Sequence, residues 1–173
     1  MEVMSGESRK PKRKPAPKKK STSAENRLRS EGAEFLVLAN LLIRDIHATK
    51  AYTNFPAWDV LATSPKSGTQ ARVQVKSRWA TDSSNFLVKN FECDFVVLVY
   101  LNRGYNFGKR TRKESGLKDP EFWIFPTPHL ISLIETGKAS GRLGTSYSFR
   151  KSKMLNQGEE FKNRWDLIEK FLD

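Results

Sequence analysis

Ala71-Arg-Val-Gln-Val-Lys-Ser77 is the stretch on which the reading of this chain turns. Its residues alternate, with Val73 and Val75 on one side and Arg72, Gln74 and Lys76 on the other. A period of two is that of a β-strand with one apolar face. Fifteen residues before Gln74 stands Asp59, inside Trp58-Asp-Val-Leu-Ala-Thr63, a second short apolar run that reads as a strand. Ser64-Pro-Lys-Ser-Gly68 between them reads as a turn. A hairpin of the two strands brings Asp59 toward Gln74 and Lys76, which share a face because they lie two apart.

Upstream, the period changes. Leu28, Phe35, Leu38, Leu41 and Leu42 recur at helical spacing and predict a helix from about Ser23 to Ile43, with Ser23 as N-cap and this set as its apolar face. Gly32 inside it costs about 1 kcal/mol relative to Ala and marks either close packing or a break between two helices. Ile46 to Tyr52 reads as a strand. Downstream, Phe95 to Leu101 is a continuous apolar run, as in a central strand buried on both faces. Asn102 to Asp119 reads as a polar loop, Glu121 to Phe125 as a strand, and Pro128 to Thr136 and Glu159 to Leu172 as helices. Phe161, Trp165, Ile168 and Leu172 form one face of the last. This order gives a mixed α/β domain.

The 173 residues suffice for one domain with a real core. Residues 1–24 are rich in Lys, Pro and Ser with no apolar period, so the division is a disordered basic tail over 1–24 and a domain over 25–173. Of the net charge of +12, half lies in that tail, on Arg9, Lys10, Lys12, Arg13, Lys14, Lys18, Lys19 and Lys20 against Glu2 and Glu7. A basic arm on a basic body favours a polyanionic partner over a bland basic protein. No apolar run approaches the length needed to span a bilayer, so no membrane partner is expected. The single cysteine, Cys93, points to a reducing compartment and to a small buried side chain. With two His and one Cys there is no zinc site of the usual type. His47 and His129 read as structural.

Acids and a lysine clustered on adjacent strands have a chemical use. Phosphodiester hydrolysis needs a divalent ion to polarise the phosphoryl group and to lower the pKa of an attacking water. Mg²⁺ favours oxygen ligands, and Mn²⁺ substitutes for it. Asp59 is the main ligand in this reading, Glu34 on the helix binds directly or through water, and the Gln74 amide and Val75 carbonyl add oxygens. Lys76 orients the water or stabilises phosphate charge. Ser77 and Arg78 follow as phosphate contacts or as an ordinary strand end. The tail lysines and arginines, with Lys89, Arg103, Lys109, Arg110, Arg112 and Lys113, form either a DNA-facing surface or solvated chain. Trp79 and Phe86 stack on bases or pack in the core.

These residues carry a resemblance. Asp59 followed by Gln74-Val75-Lys76, with Gly32-Ala-Glu-Phe35 on a preceding helix and Trp58-Asp-Val-Leu61 as the acid-bearing strand, resembles the PD-(D/E)xK nuclease superfamily over roughly residues 28–100. The likeness is to branches in which Gln replaces an acid, such as Mrr-like restriction endonucleases, and more distantly to Holliday-junction resolvases. It implies a restriction-endonuclease-like three-layer α/β core with a mixed central sheet, Mg²⁺ dependence and DNA cleavage, in restriction, defence, repair or recombination. Its localisation would be cytoplasmic at the nucleoid, or nuclear in a eukaryote. The neutral Gln74 departs from the usual acid and keeps open a non-catalytic nucleic-acid-binding module or complex subunit on the same fold. RNA instead of DNA, a homodimer and a larger defence or repair complex also remain open.

Overall fold

The computed structural model describes residues 22–51, 57–105, 116–139, 141–150 and 159–173. Residues 1–21, with the tail cations Lys10, Lys12, Arg13, Lys14, Lys18, Lys19 and Lys20, lie outside them, as do Tyr52, Lys109, Arg110, Arg112 and Lys113.

Helix α1 runs over Ser23–Leu42. Its cap is Thr22, not Ser23: the Thr22 hydroxyl accepts from the Glu25 amide, and the Glu25 carboxylate accepts from the Thr22 amide. That reciprocal pair satisfies two of the free N–H groups at the helix start, so Thr22–Ala24 belong to the helix and not to the tail. Gly32 breaks nothing. The helix is continuous, and a Cβ there would meet no atom within 4 Å. Asp45, at φ 59°, turns the chain out of the helix, and the Ile46 amide bonds back to the Leu41 carbonyl.

The strands are β1 (His47–Lys50), β2 (Val60–Thr63), β3 (Gln70–Arg78), β4 (Asn85–Val88), β5 (Phe95–Tyr100), β6 (Glu121–Pro126), β7 (Gly141–Leu143) and β8 (Ser146–Arg150). Five make the central sheet in the order β1-β2-β3-β5-β6. Only β3 and β5 run parallel; every other neighbouring pair is antiparallel. All six residues of β5 are buried, as its apolar run requires. The expected hairpin of β2 and β3 forms, with Val60 opposite Val73.

The sheet is covered on both faces. On one, α1 and helix α3 (Asp166–Leu172) enclose Val60, Val73, Val75, Val97 and Ile124. On the other, helix α2 (Thr127–Glu135) and a small sheet, β4-β8-β7, enclose Val96, Leu98, Tyr100, Trp123 and Phe125. This is a three-layer mixed α/β domain.

Two expectations need correction, and three strands were not foreseen. The core face of α1 is Ala33, Val37 and Leu41, while Leu28, Phe35 and Leu42 are exposed. A helix apolar on two sides offers no sequence signal for which side faces in. The last helix is broken: Glu159–Phe161 is a 3₁₀ turn, Asn163 takes φ 54°, and its amide bonds the Phe122 carbonyl before α3 begins. Phe161 therefore packs on one sheet face and Trp165, Ile168 and Leu172 on the other. Strands β4, β7 and β8 had no expectation at all. Among the described residues no helix is long and apolar enough to cross a membrane.

Candidate active site

β1 ends at Lys50 and β2 begins at Val60, which is paired with Val73. From Gln74 onward β3 therefore keeps a partner only on its β5 side among the described residues. Asp59 stands in the gap so left. Its backbone is fastened at both ends: its amide donates to the Val73 carbonyl and its carbonyl accepts from the Ala51 amide, both at 2.9 Å. Its carboxylate Oδ2 accepts from the Val75 amide at 2.7 Å. The N–H and C=O of one extended residue point to the same strand edge, so the Val75 carbonyl faces the gap as well.

Gln74 is 4 % exposed. Its Nε2 donates to the Ala57 carbonyl at 2.8 Å, which fixes the amide plane. The Oε1 atom is buried and accepts no hydrogen bond from the described residues. A buried acceptor left unmade costs about 1–3 kcal/mol, so a fold retains one where something else uses it. Lys76, two residues on, shares this face and is half-buried. Burial pushes its pKa below the usual lysine value, while the Asp59 and Glu34 carboxylates pull it back up.

Glu34 reaches the gap from α1, on the opposite face of the sheet, and here the structure shows a residue that sequence reasoning missed. Lys50, whose side chain is 5 % exposed, bonds both Glu31 and Glu34, the latter at 3.1 Å. Burial works against the Lys50 charge, but the two carboxylates outweigh it and hold its pKa above the ordinary lysine value. Burial, with Asp59 adding repulsion, raises Glu34 despite Lys50. Half-buried Glu31 is lowered by its bond to Lys50. The two glutamates thus share one cation. Nothing in the local sequence His47-Ala-Thr-Lys50 signals this, because it depends on strand register against a helix 16 or more residues away.

The neighbouring candidates divide. Ser77 is half-buried at the end of β3. Arg78 is turned away from the gap: its Nε donates to the Asn85 carbonyl and its Nη1 to that of Ser77. Phe86 is a core residue, stacked with Phe149 at 5.3 Å. Trp79 is 41 % exposed and lies beneath the Arg29 guanidinium at 4.2 Å. Lys89 and Arg103 are exposed. Cys93 is buried against Thr127, and His129 packs among Phe125 and Phe161.

Do these groups suit a divalent ion? Among the described residues no three His, Cys, Asp or Glu side chains gather at one point. The available donors are a carboxylate (Asp59), an orphaned amide oxygen (Gln74 Oε1) and a backbone carbonyl (Val75), with Glu34 behind Lys50. That all-oxygen, low-charge set suits a hard ion that keeps several waters, which is the habit of Mg²⁺.

No known protein family and no curated protein matches the sequence. Among solved structures, the chain is similar to a bacterial homing endonuclease, I-Ssp6803I, at 18 % identity and a TM-score of 0.49, over 84 % of this chain and 92 % of that one. It is also similar to Hjc, a Holliday junction resolvase of the archaeal hyperthermophile Archaeoglobus fulgidus, at 14 % identity and a TM-score of 0.41, over 72 % and 85 %. Both likenesses are weak, and what the site can do is decided by its own residues.

Proposed function

We propose that this protein is a metal-dependent endonuclease acting on DNA, with its site in the gap beside β3. The observation that carries the proposal is the Gln74 amide. Its nitrogen is tied to Ala57 and its oxygen is buried and unpartnered, on the strand face that also presents Lys76 and next to the fastened Asp59. Asp59, Gln74 Oε1 and the Val75 carbonyl would hold Mg²⁺ or Mn²⁺, with Glu34 joining directly or through water. The ion would supply Lewis-acid polarisation of a phosphodiester and a more acidic water.

The chain's own residues do the positioning. The Val75 amide holds the Asp59 carboxylate at one oxygen and leaves the other to the gap. Lys50 holds Glu34 in place by direct contact. Lys76 presents a cation where charge develops on phosphate, in a half-buried setting in which that charge is less screened than in water. The net +12, divided between tail and body, favours a nucleic-acid backbone as the partner.

The test is cleavage of supercoiled plasmid and of branched DNA with Mg²⁺ or Mn²⁺, comparing wild type with Asp59→Asn and Lys76→Ala. Isothermal calorimetry of Mn²⁺ binding gives a readout independent of turnover. Loss of cleavage in both variants, with weakened Mn²⁺ binding in Asp59→Asn, is expected; equal cleavage in all three defeats the proposal. The neutral Gln74 supports a second reading, a binding module without catalysis. It predicts salt-sensitive DNA binding in EDTA and no cleavage with any metal.

A further inference from the structure

Helix α1 has two apolar faces, and among the described residues only one is packed into the core. Ala33, Val37 and Leu41 are fully buried against the sheet. On the opposite side Leu28, Gly32, Phe35, Ala39 and Leu42 are all exposed, spaced four, three, four and three residues apart, with Ile43 beside them. A four-three alternation sustained over a helix is the spacing of a seam against another helix. Leu28 is 75 % exposed, Ile43 76 %, Leu42 48 % and Phe35 46 %.

The seam alternates large and small residues. Gly32 and Ala39 stand between Leu28, Phe35 and Leu42, and open space surrounds a Cβ built at Gly32. Charges keep to its margins: Arg29 turns to Glu25 and the Trp79 ring, and Glu31 to Lys50. The Lys50 ammonium lies 4.9 Å from the Phe35 ring centroid, but it is already engaged by Glu31 and Glu34, so among the described residues the stripe offers a polyanion little to bind.

We infer that the outer face of α1 is a self-association surface, on which a second copy of this chain seats its own α1 in antiparallel two-fold pairing. About a midpoint between Phe35 and Leu36, Leu28 of one copy meets Leu42 and Ile43 of the other, and Gly32 faces Ala39, so the backbones approach closely. The stripe is thus complementary to itself, as an isologous contact requires. The four large side chains expose on the order of 500 Å² of apolar surface per copy, and two copies reach the roughly 1,000 Å² at which an association becomes specific. Antiparallel pairing also sets the two α1 N-termini apart by about the 30 Å length of a 20-residue helix. The inference does not depend on the nuclease reading.

The experiment is sedimentation equilibrium of the full chain, free of nucleic acid, in about 0.3 M salt to screen the tail charge. Wild type is expected at twice the 19.8 kDa chain mass at high micromolar concentration. Leu28→Glu is expected to weaken association by roughly tenfold or more, with an unchanged circular dichroism spectrum. Ala39→Arg, at an exposed position with no core contact to lose, is a second variant should the first fold poorly. Wild type at single-chain mass overturns the inference, and so do variants that associate as wild type does. A single-chain wild type that instead floats with phosphatidylserine vesicles identifies a lipid surface as the occupant and equally overturns it.

Discussion

Gln74 is predicted to add nothing to the stability of the fold until a metal ion is bound. Gln74→Met keeps the length and volume of the side chain in a site 4 % exposed. It abolishes an unpartnered buried oxygen, a relief of about 2 kcal/mol, but it also takes the Nε2 donor from the buried Ala57 carbonyl, at about the same cost. The two offset, so Tm in EDTA should stay within roughly 2–4 °C of wild type, the shift that about 1 kcal/mol gives in a chain of this size. Thermal unfolding followed by circular dichroism in EDTA reads it directly. With Mg²⁺ wild type should pull ahead. A ligand held only by the folded state at a hundred times its Kd adds about 2.7 kcal/mol to wild type, and the variant lacks the oxygen that holds it. A variant melting several degrees below wild type in EDTA would refute the reasoning, since Oε1 would then have a partner that stabilises the fold. So would an equal Mg²⁺ shift in both proteins.

Three further outcomes follow from local structure. Thr22→Ala removes the hydroxyl that accepts from the Glu25 amide, while the residue-22 amide keeps its bond to the Glu25 carboxylate, and should cost about 1 kcal/mol in urea unfolding; no change would show the helix start frayed. Arg72 donates from Nε and Nη2 to Asp94, whose pKa burial would raise but which Arg72 holds below the usual carboxylate range. A depressed carboxylate stabilises above its unfolded value of about 3.9 and loses that contribution as pH falls through its lower folded value. Arg72→Ala should therefore cost about 1 kcal/mol at pH 7, modest because Arg72 is half exposed, and progressively less as pH falls below about 3.9; a pH-independent difference would contradict this. Tyr100 is pushed up to about 12 by burial, so ultraviolet titration of the four tyrosines should show one class ionising only near that value; its ionisation near 10 would refute the burial.

What the sequence discloses here is local order, and what it hides is pairing. The β3 alternation, the β5 apolar run and the acid before β2 were legible because each is written in a few consecutive residues. The helix cap was misplaced by one residue, at Ser23, although Thr22 and Glu25 stand three apart as a capping box requires. Hidden were facts that depend on distant partners. The Lys50 clamp needs β1 in register beside α1. The inward face of α1 is set by what packs on it, and Ala33, Val37 and Leu41 won over the larger Leu28, Phe35 and Leu42. Strand β7 has no buried residue and so no pattern to read. The break before α3 rests on Asn163 in a left-handed conformation, which Asn tolerates better than most residues but does not announce. The same holds at the site. Gln74 and Lys76 were placed on one face by spacing alone, whereas the Val75 amide as the holder of Asp59, and the gap that exposes it, come from where β1 and β2 stop.

The most direct test of the central claim is single-turnover nicking of supercoiled plasmid in Mg²⁺ by wild type and Lys76→Ala, with DNA affinity measured in parallel in EDTA. If Lys76 acts on phosphate charge beside an ion held at Asp59 and Gln74, the variant should nick on the order of a hundredfold or more slowly while binding DNA nearly as well. Equal nicking rates, or no nicking by wild type with either Mg²⁺ or Mn²⁺, would contradict the account.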